Sequence, residues 1–406
     1  MNVLMLAPEF LPTWGGVGVY IAEIAKNMPH DVEVHIITPS RIQFEHNIIK
    51  ENRIDNHRFP SNVHIHYLGT ARENFFYNLN FQVNCFRTVP QFVKENDIDL
   101  IHSQSAMPDL LLSPQKVKIP IITTIHTTIE GQLRTISKTD RSFRELDSSE
   151  KMTKLFGTFL KLIENSYYQK GRHFITVSQW GKKAIIAEKK IGPDRITVIH
   201  NGVDTTMFTP EMREESKNYY PDFIDIDSLK ILYLSRLISS KGINCLINAI
   251  PNILKAIDAY FVIAGPGKQI IMGDFLKENY SYLGYVPHER TPFLYSSMDT
   301  FILPSFSENF PLSVLEAMAS ENAVVASNVG GIPEMIQSHE NGLLIPPNDP
   351  ESIARAIIML GENTTLMEKL SRNARTSVLE KFTWKKAAQE TKNYYEKVLT
   401  NENPAD

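Results

Sequence analysis

Short apolar runs alternate along this chain with longer segments whose apolar residues recur every three or four positions. Met1 to Ala7 reads as a buried strand. After the loop from Pro8 to Trp14 come Gly15-Gly16-Val17-Gly18, with Val17, Ile21, Ile24, Ala25 and Met28 at helical spacing. That is a strand, a glycine turn and a helix. Val32 to Thr38 predicts a second strand, ended by Pro39, and Val63 to Leu68 a third. Arg41 to Pro60 between them is polar and reads as a peripheral loop. Phe75 to Lys94 predicts a helix, Asp97 to His102 a strand, and Pro120 to Ile125 another that ends at His126. Ser148 to Tyr167 predicts a long amphipathic helix with the stripe Met152, Leu155, Phe156, Phe159, Leu160, Ile163 and Tyr167. A core-packed helix is the expectation there. A membrane-surface helix is the alternative, because Lys151, Lys154 and Lys161 lie off the stripe. Phe174 to Val177 follows as a strand, and Ser178 caps a helix carrying Lys182, Lys183, Lys189 and Lys190. Ile196 to Ile199 closes this half, and Asn201-Gly202 turns the chain.

The pattern then restarts. Thr205 to Ser228 is polar and holds Pro210 and Pro221, as a linker would. Strands are predicted at Lys230–Ser235, Tyr260–Ala264, Tyr282–Val286, Thr300–Leu303 and Gly342–Ile345, with helices from Ile243, Pro311 and Pro350. A last helix spans Phe382 to Val398. Strands alternating with helices give parallel sheets covered on both faces. The fold class is therefore α/β, with two Rossmann-like, doubly wound domains. The boundaries are 1–204, a linker at 205–228, a second domain at 229–381, and a terminal segment at 382–406.

Composition narrows the function classes. A chain of 406 residues with 42% hydrophobic and 22% charged residues is that of a soluble globular protein. The two cysteines, Cys85 and Cys245, lie far apart, which fits a reducing cytosol better than a disulfide framework. No apolar run approaches a membrane span, and a net charge of −4 argues against nucleic acid as partner. The charge is uneven. Residues 1–200 carry 24 Lys and Arg against 20 Asp and Glu, a net +4, while the remainder carries 18 against 26, a net −8. A basic first half suits an anionic acceptor or an anionic membrane surface, with Lys182 and Lys183 as acceptor-side cations.

Candidate chemistry gathers where strands end, because open α/β sheets bind ligands at the carboxyl ends of their strands. His126 stands at such an end, and so does the segment Ser305-Phe306-Ser307-Glu308-Asn309-Phe310-Pro311-Leu312-Ser313-Val314-Leu315-Glu316. Pro311 suits a helix start. Glu308 then lies in the strand-to-helix loop and Glu316 about one turn into the helix, with Leu312, Leu315, Met318 and Ala319 as its buried stripe. Two carboxylates so spaced suit a ligand with hydroxyls at both ends, such as a nucleotide sugar. A capping glutamate and a solvated helix glutamate fit the same spacing. Arg236 and Lys241 put two cations in another strand-to-helix loop, where a diphosphate would be held. A dinucleotide fingerprint is excluded at Gly16–Gly18, since Ile21 stands where a third small residue is needed. Asp97 and Asp99 precede a buried strand, so strand entry explains them better than a metal.

From Glu308 through Glu316-Ala317-Met318-Ala319 to Val324-Val325-Ala326-Ser327-Asn328-Val329-Gly330-Gly331-Ile332-Pro333-Glu334, the sequence resembles the signature of retaining glycosyltransferases of family 4. Arg236-Leu237-Ile238-Ser239-Ser240-Lys241-Gly242 resembles that family's diphosphate motif, with Ser235 replacing a glycine. Asn309 and Ser320-Glu321-Asn322-Ala323 also depart from the usual pattern, without removing a functional side chain. The resemblance implies a GT-B fold, its two domains facing a central cleft and its C-terminal helix crossing back to the first. It implies hexose transfer from a nucleotide-diphosphate sugar, with UDP-sugars favoured and GDP- or ADP-sugars open, to a glycan or lipid-linked acceptor. Arg236 and Lys241 would stabilise the leaving diphosphate without a metal. Glu308 would hold hexose hydroxyls, with the N–H groups of Phe310 and Leu312 nearby, and Glu316 the ribose. His126 would contact the hexose from the opposite domain, and Gly16 would approach the diphosphate or acceptor. The base would lie near Gly265 and Val286. No cofactor beyond the donor is expected, and the location is cytoplasmic, with contact at the inner membrane face as an open question. A polysaccharide synthase and a sugar-nucleotide-binding protein without catalysis are the alternatives.

Overall fold

The computed structural model describes residues 1–11, 15–45, 48–52, 58–71, 77–112, 114–137, 146, 148–169, 172–223, 226–267 and 278–402. The described residues within 1–133, 146–200 and 384–406 form one compact unit, and those within 134–145 and 201–383 form another.

The first unit runs β1 (Asn2–Leu6), α1 (Gly16–Lys26), β2 (Glu33–Glu45), β3 (Ile48–Asn52), β4 (Val63–Ala71), α2 (Tyr77–Glu95), β5 (Leu100–Gln104), α3 (Pro114–Val117), β6 (Ile121–Ile125), α4 (Ile129–Ser137), α5 (Ser148–Gln169), β7 (His173–Thr176), α6 (Gln179–Lys189) and β8 (Ile196–Val198). Its sheet has the order β3-β2-β1-β5-β6-β7-β8, with β4 also on β2. Every pairing is parallel except β2 with β3. Arg41–Glu45 and Ile48–Asn52 thus pair as an antiparallel ribbon where a loop was expected: Arg41 pairs with Asn52 and Glu45 with Ile48. Residues 46–47 and 53–57 of the stretch expected as a loop lie outside the described residues, as do 12–14 of the first loop.

The second unit runs α7 (Arg213–Ser216), β9 (Leu229–Leu234), α8 (Ile243–Ala256), β10 (Ala259–Ala264), β11 (Tyr280–Gly284), α9 (Thr291–Ser296), β12 (Thr300–Leu303), α10 (Leu312–Ala319), β13 (Ala323–Ser327), α11 (Ile332–Met335), β14 (Leu343–Ile345), α12 (Pro350–Glu362) and α13 (Thr364–Lys381). Its six parallel strands follow the order β11-β10-β9-β12-β13-β14. The order reverses between β9 and β12, which makes the ends of these two strands the topological switch point. The core follows from the sequence period. Ile243, Leu246, Ile250 and Ile253 put the apolar face of α8 on Ile231, Phe261 and Ile302 of the sheet.

Both units tie their central strands with the same device. The Asp99 carboxylate, just before β5, accepts the Asn2 N–H of β1 at 2.8 Å. The Asp299 carboxylate, just before β12, accepts the Lys230 N–H of β9 at 2.9 Å. Asp99 therefore serves strand entry, as its position suggests.

The terminal helix α14 (Trp384–Glu402) belongs to the first unit. Trp384 meets the Tyr20 ring of α1 edge-on at 6.1 Å, and Lys392 pairs with Asp31 at 2.5 Å. Tyr395, fully buried, reaches His102 of β5.

α5 departs from expectation. It is helical as its period requires, but of its expected apolar stripe only Tyr167 is buried. Leu155, Phe156, Phe159 and Leu162 are exposed, while Thr153, Gly157, Glu164, Tyr167 and Tyr168 are buried. Glu164 is held inside by the Lys189 ammonium, and a side chain at Gly157 would collide with Leu133, 2.9 Å from its Cβ position. A close helix contact and a buried ion pair thus fix the rotation of this helix.

Candidate active site

Four loops of the second unit are stitched together at the carboxyl ends of β9, β10, β12 and β13. The Leu237 N–H donates to the Pro266 carbonyl at 2.9 Å, joining the loops after β9 and β10. The Gly265 N–H donates to Gly284 at 2.7 Å, and the Ser235 carbonyl lies so close to Gly265 that a Cβ would sit 1.8 Å from its oxygen. Gly265 is thereby required by loop packing itself. The Phe306 N–H donates to the Ser240 carbonyl at 2.9 Å, joining the loops after β9 and β12.

Two further glycines permit equally close approaches. Gly242 has φ +76°, and a Cβ there would lie 1.9 Å from the Pro304 carbonyl oxygen. Gly330 has φ +59°, and a Cβ there would lie 1.6 Å from the Glu308 carbonyl oxygen. Any other residue would push the loops apart. Lys241 and Glu308, predicted from separate motifs, are consequently neighbours. The Lys241 ammonium is 2.5 Å from Glu308 Oε1, and the Ser305 hydroxyl donates to the same oxygen at 2.8 Å. The Glu308 side chain is 8% exposed and that of Lys241 20%, so this is a charge pair largely withdrawn from water. Arg236 stands exposed in the same loop, its carbonyl accepting from the Tyr233 hydroxyl at 3.2 Å.

Glu316 faces a different group. The hydroxyl of buried Tyr295 donates to its Oε2 at 3.1 Å, and His288 Nε2 lies 3.7 Å from its Oε1. Phe208 backs both partners, at 5.7 Å from the His288 ring and 5.8 Å from Tyr295. Burial, with the Glu316 carboxylate beside it, holds the Tyr295 phenol well above its ordinary range, so it stays a donor. Neither Tyr295 nor His288 is evident from sequence. Tyr295 reads as core in a short apolar helix. His288 had a usable signal, since it follows the end of β11 as His126 follows β6. Val286 lies between β11 and His288 and is half-buried.

Phe310 and Leu312 are placed by their backbone. The Phe310 ring is buried against Phe382 at 5.5 Å, and its carbonyl accepts from Asn201 Nδ2 at 2.9 Å. Leu312 opens α10 and is half-buried, while Val314, Leu315, Ala317, Met318 and Ala319 are buried, a wider face than the expected stripe. Among the described residues, no group of three or more His, Cys, Asp or Glu is placed to hold a metal ion.

Comparisons with known proteins identify the family and the fold. The family described as glycosyl transferases group 1 matches residues 221–377, and that described as Glycosyltransferase Family 4 matches residues 14–207. The chain belongs to glycosyltransferase family 4. It is 28% identical to an uncharacterised glycosyltransferase of Methanocaldococcus jannaschii over 97% of its own length and 98% of the relative's. Among solved structures it resembles sucrose-phosphate synthase of Thermosynechococcus elongatus, with TM-score 0.77, 18% identity and coverage of 98% and 99% of the two chains. It also resembles Anabaena HepE in complex with UDP-glucose, with TM-score 0.70, 18% identity and coverage of 98% and 100%. The fold is therefore GT-B, and the glycosyltransferase moves a sugar from a nucleotide sugar.

The first unit of the glycosyltransferase holds the other predicted residues. His126 follows β6 directly, with Nε2 3.2 Å from Gln104 Oε1 and its ring 4.9 Å from that of Tyr20. Burial pushes His126 down to about 4, so it is a neutral imidazole at physiological pH. Beneath it, His102 Nε2 pairs with the Thr124 hydroxyl at 2.7 Å and Nδ1 with Tyr395 at 2.5 Å. Tyr20 pairs with the same Thr124 hydroxyl at 3.1 Å. Gly16 is the first residue of α1, and a Cβ added there would meet no protein atom within 4 Å. Lys183 on α6 and Lys190 just past its end are exposed, whereas the Lys182 ammonium donates to the Ile196 carbonyl at 2.6 Å and Lys189 is buried on Glu164. The basic face expected of α6 is thus half the size its four lysines suggest.

Proposed function

We propose that this glycosyltransferase transfers a hexose from a nucleotide-diphosphate sugar, with a UDP-sugar favoured, to a hydroxyl of a glycan or lipid-linked acceptor, with retention and without a metal ion. The observation that carries the reading is the Lys241–Glu308 pair at the switch point of the second unit. It sets a cation suited to a diphosphate beside a carboxylate suited to hexose hydroxyls. Arg236 and Lys241 stabilise the charge that grows on the leaving diphosphate. Glu308 holds hexose hydroxyls, with the backbone of Phe310 and Leu312 beside it. Glu316, braced by Tyr295, accepts from the ribose. Gly265 and Val286 flank the base. In the first unit, neutral His126 offers a ring nitrogen to the hexose, and Gly16 leaves room for an anion at a helix N-terminus. Among the described residues no side chain is an obvious covalent nucleophile, so the leaving phosphate accepts the acceptor's proton on the same face.

UDP is favoured because the fold is shared with HepE, whose structure holds UDP-glucose. A thermal-shift screen of UDP-, GDP- and ADP-sugars tests the donor. A ligand at about 100 times its Kd adds about 2.7 kcal/mol, a readable shift. Stabilisation by a GDP- or ADP-sugar alone would overturn the base assignment. Donor binding without transfer or hydrolysis, with any glycan or lipid acceptor, would favour a binding protein.

A further inference from the structure

No described helix of this enzyme is long and apolar enough to cross a membrane, yet one turns large apolar side chains outward. The four exposed apolar residues of α5 are Leu155 at 64%, Phe156 at 47%, Phe159 at 62% and Leu162 at 65%. Leu155, Phe159 and Leu162 are spaced by four and three, so they stand one above another on the outer face, with half-buried Met152 and Ile163 extending it. Single exposed leucines are ordinary, but a contiguous stripe of Leu and Phe on one helix is a contact surface.

The charges beside the stripe select what it contacts. Across α5, Lys151, Lys154 and Lys161 stand against Glu150 at its first turn and, along the stripe, one further acid, Glu164. That acid is turned inward onto Lys189 and is absent from the outer surface. Lys161 is tied to Glu130 of α4, which leaves Lys151 and Lys154 beside the apolar stripe. A protein groove would bury these lysines or need acids opposite them. A bilayer with anionic headgroups accepts the stripe into its acyl boundary while lysine stems reach the phosphates.

We infer that α5 is a membrane-surface helix that lays Leu155, Phe159 and Leu162 into the interface of an anionic bilayer, with Lys151 and Lys154 on its phosphates. This goes beyond the donor-site reading and rests on the helix alone. Its test needs no sugar donor, so its failure leaves the assignment of Glu308 and Lys241 untouched.

The experiment is flotation of the full chain with vesicles of phosphatidylcholine, with and without phosphatidylglycerol, at low and high salt. Binding is expected to the anionic vesicles and to weaken with salt. F159S with L162S should cut partitioning by at least about 100-fold, since two large apolar side chains no longer enter the interface. K151Q and K154Q should each cost about fivefold on anionic vesicles and nothing on neutral ones. Melting temperatures of all variants check folding, and the lysine variants, at a half-buried and an exposed position, keep the test valid if the double variant unfolds. Failure of the wild type to float with anionic vesicles overturns the inference. So does a wild-type dimer that F159S with L162S converts to monomer, because a second copy would then cover the stripe. Binding unchanged in every variant also overturns it, by moving the contact elsewhere.

Discussion

Glu308 and Glu316 are two carboxylates of one motif, yet the fold gives them opposite surroundings. Glu308 meets the Lys241 ammonium at 2.5 Å and the Ser305 hydroxyl, in a corner made by loops that glycines allow to touch. Glu316 meets the neutral Tyr295 hydroxyl and the edge of His288, on a helix whose other faces are buried. The first corner is organised around a compensated charge, so it suits a place where charge changes during reaction. The second is organised around hydrogen-bond geometry, so it suits recognition of a group that stays as it is. Residue type and spacing do not separate the two carboxylates. Their partners do.

The sharpest way to break this comparison is to remove the cation. Lys241→Ala should lower kcat by about 100-fold or more, because leaving-group stabilisation is lost and Glu308 is left unpaired. Arg236→Ala should lower it comparably while sparing stability, since Arg236 is exposed. EDTA should leave wild-type transfer nearly intact, because both cations belong to the protein. Abolition by EDTA, with rescue by Mg²⁺ or Mn²⁺, would transfer the leaving-group role from these residues to a metal.

Next in size is Glu308→Gln, which keeps the shape and removes the charge. It should lower kcat by about 100-fold with little change in donor KM, since the interaction lost is one that strengthens in the transition state. A kcat within about twofold of wild type would place Glu308 with Glu316 as a recognition group. Glu316→Ala should act the other way. It should raise donor KM about 10- to 100-fold, the worth of hydrogen bonds to a charged group, with kcat nearly kept. Free UDP, which carries that ribose, should lose affinity by the same factor, whereas a kcat effect equal to that of Glu308→Gln would erase the distinction.

How far the sequence goes differs between these corners and α5. The strands, the glycine turns and the two charged motifs were legible because local period and turn chemistry produce them. The ribbon of Arg41 to Asn52 was not, since its residues are mostly polar and its pairing is made across strands. His288 and Tyr295 were missed as a pair because folding, not spacing, brings them to Glu316. The contrast of α8 with α5 is the most instructive. Both carry an apolar stripe at helical spacing. In α8 it meets the sheet. In α5 a small residue against Leu133 and the Glu164–Lys189 pair turn the stripe to the outside. Periodicity identifies a face but not what covers it.

The smallest effect offers the finest test of the Glu316 corner. Tyr295 is fully buried, and its ring lies 5.6 Å from Phe301 and 5.8 Å from Phe208, so Tyr295→Phe keeps the packing and deletes one hydroxyl. That hydroxyl donates to Glu316 Oε2 at 3.1 Å and fixes the carboxylate's rotamer. Without it Glu316 keeps its charge but must be ordered by the ligand on binding. A net hydrogen bond of about 1 kcal/mol corresponds to about fivefold, so donor KM should rise about fivefold with kcat unchanged. The phenol also titrates too high to act as an acid or base, so the pH profile of kcat should not move. If kcat fell in proportion, or its pH profile shifted, Glu316 would be acting on the reacting sugar. The two carboxylates would then share one role instead of dividing recognition from chemistry.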